Sequence, residues 1–192
     1  MYTPEEILEQ TAATAVVKVN KPLFTKLILG FIGGAMISLG YLAYLRVGGG
    51  FVGAAVFPVG LIVILLAGGE LITGNMMAVA VGYFKQRVTL KELLNNWVVI
   101  TLANLVGAIF VAYVFGVLAG TLTTGDALKE ALHVTQAKLN ANFLTAFCSG
   151  MGCNWFVGLA VWLSYGAKDF SGKILAIWFP VMTFVVIGFQ HS

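Results

Sequence analysis

A polar stretch interrupts a long apolar run in the second quarter of the chain. Residues 51–84 are mostly apolar, yet Glu70, Thr73 and Asn75 lie among them, next to glycines at 68, 69 and 74. Polar side chains and irregular backbone are costly at membrane depth and persist there only where protein or a water-filled cavity surrounds them. The pattern predicts two half-helices that meet at a site, as in transporters with interrupted helices.

The composition places the whole chain in a membrane. Of its 192 residues, 59% are hydrophobic and 10% are charged, with a mean hydropathy of +0.94. An average soluble domain has about 25% charged residues. A helix needs about 20 apolar residues to cross a bilayer. Five segments are predicted to cross, the second with the interruption: residues 27–45, 51–84, 97–118, 143–165 and 174–189.

Residues 1–22 are predicted to form an amphipathic helix rather than a signal peptide. Acidic residues occupy the part of the segment that would be basic in a signal peptide, and no apolar core follows them. Thr3, Pro4 and Glu6 form a helix-start pattern, and apolar residues then recur at helical spacing. We expect this helix to lie along the membrane or across a neighbouring subunit.

The basic residues predict the orientation of the chain. Of the 11 Lys and Arg residues, all but Arg46, Lys129 and Lys138 fall on one side of the predicted spans. Because basic residues accumulate on the cytoplasmic side, we expect a cytoplasmic N-terminus and a multi-pass protein of the inner cell membrane. The basic residues lack interleaved aromatics, so nucleic acid is not an expected partner.

Similar segments in the two halves of the chain indicate an internal repeat. Phe-Pro-Val occurs at 57–59 and at 179–181, and an apolar run that ends in glycine and polar residues follows each copy. With three spans in each half, the halves would cross the membrane in opposite directions. The prediction is one transmembrane domain over 1–192, with a first repeat at 23–120 and an incomplete second repeat at 138–192. A sixth span, the counterpart of 97–118, is expected beyond Ser192.

Small residues and cysteines are interpreted as packing groups. Glycines and serines recur in the first and fourth spans, where they let helices approach closely. Cys148 and Cys153 are five residues apart on one predicted helix, so their side chains point to different sides. Neither a disulfide nor a metal site follows from that spacing. No cofactor is expected.

Four motifs, in order, resemble the formate/nitrite transporter family over essentially the whole chain. They are Gly-Glu-Leu-Ile-Thr-Gly-Asn at 69–75, Asn-Leu-Val-Gly at 104–107, Cys-Asn-Trp at 153–155 with Leu-Ala-Val-Trp at 159–162, and Gly-Phe-Gln-His-Ser at 188–192. The resemblance implies an all-α, aquaporin-like inverted repeat with two interrupted helices. It also implies a homopentamer with one pore in each subunit, which conducts small monovalent anions such as formate, nitrite and hydrosulfide.

The resemblance also assigns residues to the pore. It places His191 at the pore centre and Thr73 on the first interrupted helix. Apolar constrictions on either side of the histidine are assigned to Leu61 and Phe184. The other matches are a lysine near the outer end of the fourth helix and a polar pore-side residue on that helix, Lys138 and Asn154. Many relatives carry an acid where this chain has Gln190.

These residue types suit the passage of an anion. A small anion that crosses about 30 Å of hydrocarbon unaided meets a penalty of tens of kcal/mol. Lys138 would concentrate anions, and His191, with a reference pKa of about 6.5, would share a proton with a weak acid in transit. Thr73 would hydrogen-bond the anion, and the constrictions would exclude hydrated ions. Glu70 is expected to hold the helix end or loop, and it is also a candidate for substrate contact.

Other functional classes fit the sequence less well. An aquaporin would carry Asn-Pro-Ala, which does not occur in the chain. A haem subunit would need a second histidine within the bilayer, whereas His133 is expected in a solvated outer loop. No Walker, zinc or nucleophile motif indicates an enzyme. Formate is the first expectation for the substrate, hydrosulfide and nitrite are alternatives, and a membrane scaffold without transport is the alternative from a different class.

Overall fold

The computed structural model describes residues 1–191 as helices joined by short turns. The helices are α1 (Pro4–Asn20), α2 (Leu23–Arg46), α3 (Gly50–Val56), α4 (Val59–Ala67), α5 (Ile72–Phe84), α6 (Leu90–Val111), α7 (Gly125–Leu139), α8 (Phe143–Gly166) and α9 (Phe170–Ile187). A π-helical segment, Ala112–Leu118, extends α6. This architecture confirms the predicted all-α class.

Five segments are long and apolar enough to cross a bilayer, so the protein is a multi-pass membrane protein. They are Leu23–Arg46, Gly50–Ala67, Leu90–Leu118, Phe143–Gly166 and Phe170–Ile187. Four of them begin earlier than predicted, and in the third and fifth spans polar residues cap the early start. Thr89 and Glu92 form a capping box before the third span, and the Asp169 side chain accepts the N–H of Gly172 before the fifth.

The second span breaks at residues 68–71, inside the predicted interruption. Gly68 ends α4 with a φ of 86°, in the left-handed region that glycine adopts without strain. Leu71 is extended, and α5 begins at Ile72. Thr73 and Asn75 therefore lie in the first turns of a 13-residue helix, beyond the irregular backbone itself.

One buried amide on α6 holds both sides of this break. Asn104 Oδ1 accepts the N–H of Ile72 at 2.9 Å, and its Nδ2 donates to the carbonyl oxygens of Gly30 and Glu70 at 2.7 and 2.9 Å. Backbone groups that leave a helical ladder inside a membrane protein need such partners. The Asn-Leu-Val-Gly motif thus supports the interrupted helix.

Glycines let α2 and α6 pack with their backbones in contact. A methyl group at Gly34 would lie 1.9 Å from the carbonyl oxygen of Asn104, and one at Gly107 would lie 2.1 Å from that of Phe31. No larger side chain fits at these separations without moving a helix. Close packing is therefore the role of these small residues, as the sequence predicts.

The first two spans recur in the fourth and fifth with a constant offset of 120 residues. α8 (Phe143–Gly166) corresponds in this way to α2 (Leu23–Arg46), and α9 (Phe170–Ile187) to the span Gly50–Ala67. Gly188 after α9 has a φ of 83°, like Gly68 after α4. The N–H of Phe189 donates to the carbonyl oxygen of Phe184, as that of Gly69 does to that of Ile64.

The hydrogen bonds that follow these two glycines also correspond. The N–H of Glu70 donates to the carbonyl oxygen of Leu29 at 3.0 Å, and the N–H of Gln190 donates to Oγ of Ser149 at 2.6 Å. Positions 29 and 149 differ by the same 120 residues, as do 70 and 190. The internal repeat is therefore present in the backbone and in its partners.

The two Phe-Pro-Val copies are not equivalent within this repeat. Pro58 lies between α3 and α4, whereas Pro180 lies inside α9. A shift of 120 residues pairs Pro58 with Trp178 instead. The sequence alignment through the two prolines was therefore wrong by two residues, although the segments that it paired are counterparts.

The N-terminal helix packs on its own chain. The Thr3–Glu6 capping box is present, which confirms the predicted start. α1 contacts α5, α8 and α6. Its buried face is the predicted apolar stripe in part: Ile7, Thr11, Ala12, Ala15 and Val19. The buried face of α1 therefore packs on α5 of the same chain.

Residues 125–139 form a helix where the sequence analysis expects a loop around His133. α7 packs against α2 and carries Lys138 in its last turn. Asn142 then caps α8 by accepting the N–H of Thr145, so the fourth span starts after Lys138. Lys138, expected near the outer end of the fourth helix, thus lies in the last turn of the preceding helix, five residues before α8 begins.

Candidate functional site

A cavity of about 640 Å³ lies between α2, α6, α7 and the end of α9. Three of the predicted pore residues line it, namely His191, Lys138 and Phe184. Its other polar side chains come from three helices and from the chain after α9: Ser38, Tyr41, Tyr44, Thr101, Asn104, Glu130, His133 and Gln190. Small and apolar residues form the rest of the wall. The cavity therefore combines an apolar surface with a few ionisable and hydrogen-bonding groups, as ligand sites do.

His191 lies three residues after the left-handed Gly188, in the irregular chain that follows α9. Its imidazole lies 6.0 Å from the ring of Phe184 and 6.3 Å from the ring of Phe57, between ring centroids. The side chain is half-buried. The break after α9 thus places an imidazole between aromatic walls, with one side open to the cavity.

Lys138 enters the cavity from the end of α7. Its Nζ lies 5.6 Å from the centroid of the Tyr41 ring, a cation–π distance. Burial lowers the pKa of the Lys138 ammonium, against the opposing effect of Cys153. None of the ion pairs among residues 1–191 involves Lys138. The ring face attracts the ammonium but leaves its charge uncompensated.

Phe184 and Leu61 belong to one hydrophobic core cluster, and only Phe184 reaches the cavity. Their side chains are 2% and 1% exposed. The rings of Phe57 and Phe184 meet edge to face at 6.0 Å between centroids. Phe184 forms part of the cavity wall, whereas Leu61 packs behind it.

Glu70 lies outside the cavity and connects α1 to the break in the second span. Its carboxylate is 2% exposed and accepts hydrogen bonds from Lys18 and Lys21, both at 2.7 Å, and from Asn75 at 2.8 Å. Burial lowers the pKa of Lys18, and the attraction of Glu70 opposes this. The expected role of holding the loop fits this geometry, in which two lysines and Asn75 bind the carboxylate.

Thr73 and Asn154 also lie apart from the cavity lining. Thr73 is fully buried, and its Oγ1 has no hydrogen-bond partner among the residues that the structure describes. Asn154 lines a shallow depression on α8 beside Met77 and Trp155, and its buried Oδ1 likewise lacks a partner within residues 1–191. Unpaired buried polar atoms are uncommon, so these two positions are candidates for contact with a water, an ion or a ligand.

Sequence reasoning missed the part of the wall that α7 supplies. Glu130 and His133, expected on a solvated face, line the cavity together with Lys138. The lining residues of α7 are Glu130, His133, Val134, Ala137 and Lys138. Their spacing of three, four, seven and eight residues is that of one helical face. The periodicity of residues 125–139 was the signal that would have found them.

The sequence profile described as Formate/nitrite transporter matches residues 5–192. The chain belongs to the formate/nitrite transporter family. A relative in Bacillus subtilis, described as the uncharacterized transporter YrhG, is 52% identical over 98% of this chain and 74% of its own length. The formate channel BtFdhC of Bacillus thuringiensis is 51% identical over 99% of this chain and 77% of its own.

Solved structures of this family share the fold. An FNT family ion channel, 26% identical, superposes with a TM-score of 0.89 over 97% of this chain and 78% of its own. A pentameric formate channel with formate bound, 28% identical, superposes with a TM-score of 0.76 over 88% of this chain and 70% of its own. The family consists of transporters and not of enzymes, which confirms the exclusion made from sequence motifs.

Proposed function

We propose that this formate/nitrite transporter family member forms a pore for small monovalent anions, with formate as its main substrate. The observation that carries the proposal is the cavity in which the Lys138 ammonium and the His191 imidazole lie among aromatic and aliphatic walls. The similarity to a formate channel at 51% identity supports the choice of anion. The pentameric channel of similar fold supports a homopentamer.

Lys138 lowers the cost of bringing an anion out of water. Two opposite unit charges 4 Å apart attract each other by about 4 kcal/mol at the effective dielectric constant of about 20 found near protein surfaces. An ammonium without a carboxylate partner offers this attraction to an arriving anion. Lys138 is exposed at the cavity wall, and its contact with the Tyr41 ring holds the ammonium there.

His191 then protonates the anion, which crosses the apolar region as a neutral acid. A formate ion in the cavity accepts a proton from the imidazolium of His191, which leaves formic acid and a neutral imidazole. Formic acid crosses the apolar wall at Phe184 with far less desolvation than formate. If it returns the proton to His191, the passage is passive; if it releases the proton to the other side, the passage is coupled to protons.

The remaining predicted residues have supporting roles in this proposal. Thr73 offers an unpaired buried hydroxyl to the anion or to the imidazole, and Asn154 offers an unpaired amide oxygen from α8. Leu61 and Phe184 exclude water through their place in the core cluster. Glu70 positions the break in the second span through its lysine partners and contacts no substrate.

Formate flux into proteoliposomes tests the function. Influx of labelled formate should rise as the outer pH falls, because more of the His191 side chains and of the anion are then protonated. His191→Ala should lower the influx and flatten this pH dependence, and Thr73→Val should lower it with the protein still folded. His133→Ala, the other histidine of the cavity, should have a smaller effect. Simultaneous recording of internal pH distinguishes the passive from the coupled route.

Two outcomes would change the assignment. Equal or faster flux of nitrite or hydrosulfide in parallel vesicles would replace formate as the main substrate. Absence of flux for all three anions, with monodisperse protein in the vesicles, would reject transport and favour a membrane scaffold.

The proposed orientation places the N-terminus in the cytoplasm. The turn between α2 and α3 then faces outward and the turn between α5 and α6 faces inward. In a Cys148→Ser background, a membrane-impermeant maleimide should label Val47→Cys in intact cells. It should label Gln86→Cys only after lysis. The reverse pattern would invert the topology.

A further inference from the structure

The surface helices α1 and α7 are counterparts within the internal repeat. A shift of 120 residues carries α1 (Pro4–Asn20) onto positions 124–140, which α7 (Gly125–Leu139) occupies almost completely. Lys18 falls on Lys138 in this comparison. The two helices lie at opposite ends of α2: α1 leads into its start, and Arg46 at its other end donates to the carbonyl oxygen of Thr121, just before α7.

The same shift relates the charge cluster of α1 to the cavity residues near α7. Lys18 and Lys21 share the carboxylate of Glu70. Their counterparts are Lys138, Ala141 and Gln190. Near α7, alanine thus replaces one of the two lysines and glutamine replaces the glutamate. The ammonium of Lys138 remains at the position that corresponds to the ion-paired cluster on α1.

The backbone of Gln190 is held in the same way as that of Glu70, so the difference between the two sides lies in the side chains. Each N–H donates to position 29 or its counterpart 149. Lys138 and Gln190 both line the cavity. Glutamine matches glutamate in size but cannot neutralise an ammonium.

A carboxylate does line the cavity, that of Glu130, but it does not take the place of Glu70. Glu130 lies eight residues before Lys138 on α7, about 12 Å along the helix axis. One oxygen of its carboxylate lies against the backbone of Gly49, at the far end of the wall. Lys138 contacts the ring of Tyr41 instead.

We infer that Gln190 controls the affinity for anions where α7 borders the cavity: its uncharged side chain leaves Lys138 without a carboxylate partner, and the two residues form the first binding site for a small monovalent anion such as formate. The inference rests on the proposed function for the identity of the anion. A glutamate at 190 would rebuild the ion pair of Lys18 with Glu70 at the corresponding positions and weaken the attraction of this site for anions.

The variant Gln190→Glu tests this site in proteoliposomes with the full chain. The formate concentration for half-maximal influx should rise at least tenfold. Gln190→Met controls for shape, and its value should stay at least fivefold below that of Gln190→Glu. If both variants lose affinity equally, charge is not the cause and the inference is overturned.

Lysine variants keep the inference testable if Gln190→Glu does not fold. Lys138→Met should raise the half-maximal concentration by a similar factor. Lys129→Met is the matched control, because Lys129 is on the same helix, is 80% exposed and pairs with Asp126 outside the cavity. Wild-type values in Lys138→Met, or an equal loss in Lys129→Met, would overturn the inference.

A binding measurement separates this inference from the proposed function. A ligand that binds the folded state raises the melting temperature with its concentration. In detergent and at constant ionic strength, added formate should raise the melting temperature of the wild type and of Lys129→Met. It should not raise the melting temperature of Gln190→Glu or Lys138→Met. If these melting temperatures shift as expected but formate flux is absent, the proposed pore is rejected and the binding site at Lys138 is retained. If formate flux is present without these shifts, the pore is retained and the binding site is rejected.

Discussion

Replacement of Glu70 by glutamine measures how strongly α1 is fixed to the break in the second span. The carboxylate is 2% exposed, and the side chains of Lys18 and Lys21 that bind it are 13% and 24% exposed. Glu70→Gln keeps the shape but leaves both ammonium groups without their counter-charge. Loss of one partner of a buried ion pair costs about 3–5 kcal/mol. Since Lys21 still reaches solvent, we expect the lower end, about 3 kcal/mol.

The melting temperature of the purified protein in detergent should report this loss. For a chain of this length, 1 kcal/mol corresponds to about 2–4 °C, so the expected decrease is about 6–12 °C. A protease that cleaves after lysine should also cut at Lys18 faster in the variant. Glu9→Gln is the matched control on α1, because Glu9 is 48% exposed and its partner Lys85 is 38% exposed. Exposed pairs of this kind contribute little, so both readouts should stay close to the wild type.

Removal of all three charges distinguishes an ion-pair effect from a packing effect. In Lys18→Met/Lys21→Met/Glu70→Gln, no buried charge remains uncompensated, and at least half of the lost stability should return. The reasoning would be refuted by a melting temperature of Glu70→Gln equal to that of Glu9→Gln. A triple variant less stable than the single variant would refute it as well.

Two further predictions concern packing and pH. Gly34→Ala should cost about 3 kcal/mol and reduce the monodisperse fraction in gel filtration, because its methyl group would lie 1.9 Å from a backbone oxygen of α6. Gly158→Ala should change neither the stability nor the monodisperse fraction, since its methyl group would be 3.6 Å from its nearest neighbours. Hydrogen bonds from Lys85 and then Arg87 lower the pKa of Glu9 below 4.5. Folding therefore favours the ionised carboxylate, and its small stabilisation is complete above pH 4.5 and lost as the pH falls further. Melting temperatures of the wild type and Glu9→Gln should converge below that pH.

The sequence predicts the helices and the first break because both depend on local patterns. Apolar runs of about 20 residues mark the spans, and Gly68 marks the end of α4. The early starts at Leu90 and Phe170 were missed because the capping residues lie in polar sequence outside the apolar windows. α7 was missed for a related reason: hydropathy marks spans, whereas only periodicity marks an amphipathic helix.

Long-range contacts explain why the site was predicted in part. The approach of Lys18 and Lys21 to Glu70 joins residues about fifty positions apart, and no spacing rule predicts it. The repeat could have suggested the comparison of Glu70 with Gln190. The alignment of the two Phe-Pro-Val copies prevented this comparison, because it is shifted by two residues from the true repeat. Sequence identity supports the true register only weakly.

The internal repeat gives the cavity two equivalent backbone positions with different side chains. Leu71 and His191 each lie three residues after a left-handed glycine, and both line the cavity. Two imidazoles there would disfavour each other's protonation, because like charges at close range lower the pKa of a base. Because leucine occupies the first of these positions, only the second carries an imidazole. In the same way, Gln190 leaves Lys138 without a carboxylate where Glu70 neutralises Lys18. The fold therefore supplies two similar halves, and the proposed chemistry depends on the positions at which their side chains differ.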